Sequence, residues 1–213
     1  MSGLFNSDGV WVSRRSLAAP GPGLILDRDG VLVVEVDYLR RPEDVRLEAG
    51  AVDLLRWARH EGIAIAVATN QSGIARGMFG WEDYFAVESE IDRQLAAHGL
   101  VLDMVVACPF HDGFTEGFGP THAAWRKPGP AMVRLIADEL KLVSAKTWMI
   151  GDKDSDAAAA KAANLAGAIH VLSGHGVRLR EASLGVGTDG FDVLVARDLS
   201  EVPAILTRRM SAA

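Results

Sequence analysis

A single cysteine, Cys108, stands among the 213 residues, which excludes an internal disulfide framework and any four-cysteine zinc site. Basic charge is also short: 22 Lys and Arg face 28 Asp and Glu, for a formal net charge of −6 at pH 7. That balance gives no general attraction to nucleic acid or anionic membranes, and leaves room only for a local basic pocket around a small anion. No apolar run approaches the ~20 residues of a membrane span. The N-terminal MSGLFNSDGVWVSRR lacks the basic-then-apolar layout of a secretory signal. There is no internal repeat and no long low-complexity tract. The expectation is a cytoplasmic monomer with neither nucleic-acid nor membrane partners.

What is present is ordinary globular composition, with 49% hydrophobic and 23% charged residues. A chain of this length buries enough surface to complete a core without disulfides or a structural metal. The stretch Ser16–Gly23, SLAAPGPG, reads as a joint between an irregular arm, residues 1–20, and one domain, residues 21–213. Beyond it, short apolar runs end at Asp27, Thr69, Cys108, Asp152, Leu172 and Ala196. They are near-continuous Ile, Val, Leu and Ala, as in strands covered on both faces. Between them lie helical stripes: Val52, Leu55 and Ala58; Tyr84, Val87, Ile91 and Leu95, stopped by Gly99; and Met132, Leu135, Ile136 and Leu140 after Pro130. Strands alternating with helices predict an α/β fold, a doubly wound parallel sheet. Ligands bind such sheets beyond the carboxyl ends of the strands.

Those ends carry Asp27-Arg28-Asp29-Gly30, Thr69-Asn70-Gln71-Ser72-Gly73 and Gly151-Asp152-Lys153-Asp154-Ser155-Asp156, while Arg126-Lys127-Pro128 precedes the Met132 helix. Any one of these aspartates reads equally well as a helix cap or turn residue. Taken in order, the four pieces support phosphoryl transfer. Asp27 and Asp152 together favour a hard divalent cation, most simply Mg²⁺. Asp27 is a candidate nucleophile. Asp29, two residues on, can protonate a leaving alkoxide and then deprotonate water. Thr69 and Lys127 can hold the equatorial phosphoryl oxygens.

At these residues the sequence resembles the haloacid dehalogenase superfamily of phosphatases, whose four motifs match DRDG, TNQSG, RKP and GDKDSD in order. DRDGVL, TNQSGIARG and RKPGPAM together resemble its heptose-bisphosphate phosphatase branch, with histidinol-phosphate phosphatases nearby. The resemblance implies a Rossmann-like fold and hydrolysis of D-glycero-D-manno-heptose 1,7-bisphosphate at its 7-phosphate through an aspartyl-phosphate. It implies Asp27, Asp152 and the Asp29 backbone carbonyl as metal ligands. Substrate contacts fall on Arg28, Glu35, Val36, Asp37, Tyr38, Asn70, Gln71, Ser72, Arg126 and Lys153. Asp156 is expected to orient Lys153 or a metal-bound water.

The intervals Asp29–Thr69 and Asn70–Arg126 leave no room for a large cap domain, so the site should be open, with the Pro109–Trp125 loop as part of its wall. That loop lacks the ligand spacing of the branch's structural zinc. Cys108, His111 and His122 read as a strand-end thiol and two loop histidines, and Phe110, Phe114, Phe118 and Trp125 as apolar packing. Three alternatives stay open at this point: a histidinol-phosphate or other small phosphomonoester phosphatase, a nucleic-acid 3′-phosphatase, and a phosphate-binding regulator that kept the fold.

Overall fold

A computed structural model describes residues 3–15 and 20–211. Among the described residues, eight strands form one sheet: β1 (Leu4–Phe5), β2 (Trp11–Arg14), β3 (Gly21–Leu26), β4 (Ala64–Asn70), β5 (Met104–Cys108), β6 (Leu142–Gly151), β7 (Gly167–Val171) and β8 (Asp192–Ala196). Their spatial order is β1-β2-β5-β4-β3-β6-β7-β8. The six from β5 to β8 in that order pair in parallel, while β2 joins β5, and β1 joins β2, antiparallel. The α-helices that accompany them are α1 (Ala51–His60), α2 (Ser72–Ala75), α3 (Trp81–Ala96), α4 (Pro120–Trp125), α5 (Ala131–Glu139), α6 (Asp154–Ala162), α7 (Gly176–Leu184) and α8 (Val202–Ser211).

The apolar runs are continuous because both faces of the sheet are covered, and strand alternation sorts them into two cores. Leu24 and Leu26 of β3, Ile65 and Val67 of β4, and Val105 of β5 face one layer, with α1, α3 and α8. Ile25, Ala66, Ala68, Met104 and Val106 face the other, with α5 and α6. The helical stripes are the inner faces: Leu54, Leu55 and Ala58 of α1, Tyr84, Val87, Ile91 and Leu95 of α3, and Met132, Val133 and Ile136 of α5 are buried. Burying each such large apolar side chain contributes about 1.5–3 kcal/mol. Asp83 closes the start of α3 by accepting the Gly80 N–H at 2.9 Å. Gly99, at φ +71, ends the turn that follows it.

The expected parallel α/β sheet is therefore present, and no large cap interrupts either interval among the described residues. Leu4–Phe5 and Trp11–Arg14, expected to be irregular, are strands. Trp11–Arg14 pairs with β5 in register from Trp11↔Ala107 to Arg14↔Met104, and Trp11 enters the core. A free sheet edge, a long-range feature, turns this short segment into strand. Residues 16–19 of the expected joint lie outside the described residues; Gly21–Gly23 already belong to β3. After β3 the chain moves to β4 on one side, and it later returns to β6 on the other. That reversal opens a crevice at the carboxyl ends of β3, β4 and β6. Among the described residues, no helix is long and apolar enough to cross a membrane.

Candidate active site

Asp27 leaves the end of β3 and lies buried on the floor of a 670 Å³ cleft. Its Oδ1 accepts the Arg28 N–H at 2.8 Å and meets Lys127 Nζ at 2.9 Å. Lys153 Nζ stands 3.6 Å from Asp27 Oδ2 and 2.9 Å from Asp152 Oδ1. Asp152 ends β6 beside β3, so the parallel pairing brings the two carboxylates together. Burial pushes the Asp27 carboxyl up, but Lys127 and Lys153 outweigh it and hold it below the usual carboxylate range. Lys153, drawn out of water but facing three aspartates, keeps its proton more firmly than an ordinary lysine.

Lys127 is buried under the cleft, where it also pairs with Asp156 Oδ1 at 2.6 Å and donates to the Ala68 carbonyl at 2.7 Å. Burial would release its proton; Asp156 and Asp27 reverse that. Asn70 sets its backbone, accepting the Lys127 N–H and donating to the Lys127 carbonyl, both at 3.0 Å. Asp156, raised to about 6 by burial, accepts the Lys153 backbone N–H at 3.1 Å. Asp156 thus holds the Lys153 backbone and pairs with the Lys127 ammonium.

Glu35, Val36, Asp37 and Tyr38 form a flap along the cleft, with Asn70, Gln71 and Ser72 opposite and Arg126 and Lys153 also lining it. These expected contact residues all reach the cleft. Burial and the Asp29 charge raise Glu35 to about 7. Tyr38 takes φ +53, a costly conformation for a non-glycine residue. Asp112, Phe118 and Ala123 confirm the Pro109–Trp125 loop as part of the wall. Phe118 stacks against His122, and Trp125 donates to Asp8 at 2.9 Å. Phe114, expected in apolar packing, is instead half exposed beneath the Arg76 guanidinium. Burial raises the Cys108 thiol to about 11.

Three expected residues are deeply buried. Arg28 borders the cleft, and its guanidinium turns inward against Asp29, Glu88 and Gln71. Thr69 is fully buried, its Oγ1 accepting from Gln71 Nε2 at 2.8 Å. Asp152 is equally buried, roofed by Lys153 and the His175 N–H, which reaches its Oδ2 at 2.7 Å. His175 also lines the cleft and brings Nε2 within 3.7 Å of Glu35 Oε2. Its signal was SGHG just past a strand end.

Asp27, Asp152 and Asp156 offer carboxylate oxygens within 4.8 Å of one another. This is a hard-oxygen donor set, and the Lys153 ammonium bridging Asp27 and Asp152 marks where positive charge belongs. The residues fit a small divalent cation. Gly30 and Gly174 stand against Asp152 at φ +83 and +52. A Cβ on Gly30 would come within 2.6 Å of Asp152 Oδ2. Gly30→Ala should therefore displace that carboxylate and lower turnover roughly tenfold or more, within the range for disturbed support of a site carboxylate. A rate measurement on the purified variant checks this; an unchanged rate would refute it.

Lysine-balanced carboxylates at the ends of central parallel strands are suited to phosphoryl chemistry. The family model for HAD-hydrolase-like proteins matches residues 124–201. The chain is 37% identical over 161 residues to the D-glycero-β-D-manno-heptose-1,7-bisphosphate 7-phosphatase of Mesorhizobium japonicum, covering 74% of each chain. It is 38% identical over 154 residues to the Yersinia pestis enzyme of that name, covering 72% of this chain and 81% of the relative. The solved D,D-heptose 1,7-bisphosphate phosphatase of B. bronchiseptica, complexed with magnesium and phosphate, aligns with a TM-score of 0.73 at 29% identity, over 88% of this chain and 99% of the other. The chain belongs to the haloacid dehalogenase-like phosphatases.

Proposed function

We propose that this phosphatase hydrolyses D-glycero-D-manno-heptose 1,7-bisphosphate at the 7-phosphate through an aspartyl-phosphate on Asp27. The observation that carries the reading is the Asp27 carboxylate, fixed on the cleft floor between Lys127 and Lys153. The relatives named for that substrate support the choice of sugar bisphosphate.

Asp27 attacks phosphorus in line, forming an acyl phosphate as the bond to the leaving oxygen breaks. Asp29 gives its proton to that oxygen and later takes one from the attacking water. Lys127 and Lys153 meet the charge on the phosphoryl oxygens. Thr69, through Gln71, supports the loop that borders them. Arg126 and His175 stand on the cleft wall, where the substrate's second phosphate can reach them. Mg²⁺ bound to Asp27, Asp152 and the Asp29 carbonyl would screen the repulsion between carboxylate and phosphate.

Phosphate release across heptose bisphosphates, histidinol phosphate and common sugar phosphates tests the substrate. The highest kcat/KM should fall on the heptose 1,7-bisphosphate; a preference for histidinol phosphate would overturn the assignment. EDTA should abolish release and Mg²⁺ restore it. Full activity in metal-depleted buffer would contradict the metal's role.

A further inference from the structure

Glu88 is a buried carboxylate that none of this chemistry uses. It lies in the middle of α3 at 1% exposure, on the same helix face as Tyr84, Val87, Ile91 and Leu95. A carboxylate in such a place is costly unless paired. Its partner is Arg28 Nη1 at 3.0 Å, and Arg28 is itself 1% exposed. The Arg28 guanidinium stands over the Tyr84 ring, 5.2 Å from its centroid. Its other edge faces the cleft: Nη2 meets Asp29 Oδ1 at 3.0 Å and Gln71 Oε1 at 3.1 Å, and Nε lies 3.2 Å from Asp29 Oδ2. Gln71 Nε2 closes onto Asp29 Oδ2 at 2.8 Å. One connected set of contacts thus runs from α3 through the interior to the carboxylate two residues beyond the nucleophile.

We propose that Glu88 is a positioning residue for Asp29, acting through Arg28. A guanidinium is planar and rigid, so fixing Nη1 on Glu88 fixes the direction of the opposite Nε–Nη2 edge. That edge, with Gln71, holds the Asp29 carboxylate in one orientation beside Asp27. A buried ion pair is often no more stabilising than an apolar pair of similar volume, so burial alone gives no reason for Glu88 in this apolar stripe. The direction of its contacts does: Arg28 passes them to a side chain that is partly open to the cleft. A misplacement of about 1 Å at a reacting group can cost roughly 10²-fold in rate. The proposal rests on the acid/base role given to Asp29.

The test compares two leaving groups. kcat/KM covers the steps through departure of the leaving group, which needs a proton for an alkoxide and little help for a nitrophenolate. For Glu88→Gln and Glu88→Leu, kcat/KM should fall about 10–100-fold on the best alkyl phosphate of the release panel. On p-nitrophenyl phosphate it should stay within about threefold. Asp29→Asn is run alongside and should discriminate in the same direction. Circular dichroism confirms folding, and Glu88→Gln, nearly isosteric, carries the test if Glu88→Leu does not fold. Equal losses on both substrates in the Glu88 variants, or no loss on either, while Asp29→Asn discriminates, would overturn the positioning role alone. Absence of discrimination in Asp29→Asn would overturn the acid/base reading and the proposal with it.

Discussion

Asp27→Asn is expected to lower phosphate release by on the order of 10⁴-fold or more, the scale seen when an enzyme loses its nucleophile. An amide oxygen is a poor nucleophile and a weaker ligand for a hard cation. The same substitution should leave the fold intact. Asp27, Asp152 and Asp156 crowd three carboxylates against the two ammoniums of Lys127 and Lys153. At Asp27 the two ammoniums outweigh that crowding, so removing its charge gives up net attraction and should lower stability modestly, while two carboxylates still face two ammoniums. The Arg28 N–H keeps an acceptor, because the amide oxygen of Asn can take the place of Asp27 Oδ1. The expected record is an unchanged circular dichroism spectrum, a midpoint of unfolding somewhat below wild type, and no measurable turnover. Activity within tenfold of wild type would remove Asp27 from the nucleophile's place. So would phosphate trapped on another residue in a rapid-quench experiment.

The positions of Asp27, Lys127 and Asp152 were legible because each is tied to a strand end or helix start, and a parallel sheet collects such ends on one edge. The orientation of side chains beyond those ends was not. Arg28 follows Asp27 directly, and nothing local says that it turns inward; its destination is set by Glu88, sixty residues later. Glu88 itself was hidden inside an apolar stripe, where the helical period marks a buried face but not the pairing of a charge within it. Thr69 and Asp152 lie under Gln71 and Lys153, so the residues that border the cleft are partly the neighbours of those the motifs highlight. β2 went unread for a related reason. Four residues give too short an alternation to declare a strand, and the edge of β5 that completes them lies some ninety residues away. His175 reaches the cleft through a backbone contact to Asp152, a feature no side-chain pattern encodes.

Lys127→Met should damage both stability and catalysis. Lys127 is 2% exposed and carries the ammonium that separates Asp27 from Asp156, at 2.9 and 2.6 Å. Methionine matches its length but leaves Asp156 without its ammonium partner and Asp27 with Lys153 alone. Removing one partner of a buried ionic cluster costs about 3–5 kcal/mol. A urea titration should show a loss in that range with the slope of the transition unchanged. Catalysis should fall by a further 10²–10³-fold or so in the fraction that remains folded, because a preorganised donor to the phosphoryl oxygens is gone. The two effects separate in a double variant. Lys127→Met with Asp156→Asn neutralises the carboxylate left alone, so stability should recover by about half or more, while activity stays low. The Lys153 backbone N–H keeps an acceptor in that variant, since the Asn oxygen can replace Asp156 Oδ2. Stability of Lys127→Met within about 1 kcal/mol of wild type would show that the ammonium does not hold the cluster together. Recovery of activity together with stability in the double variant would show that Lys127 acts on the fold alone and not on the phosphoryl group.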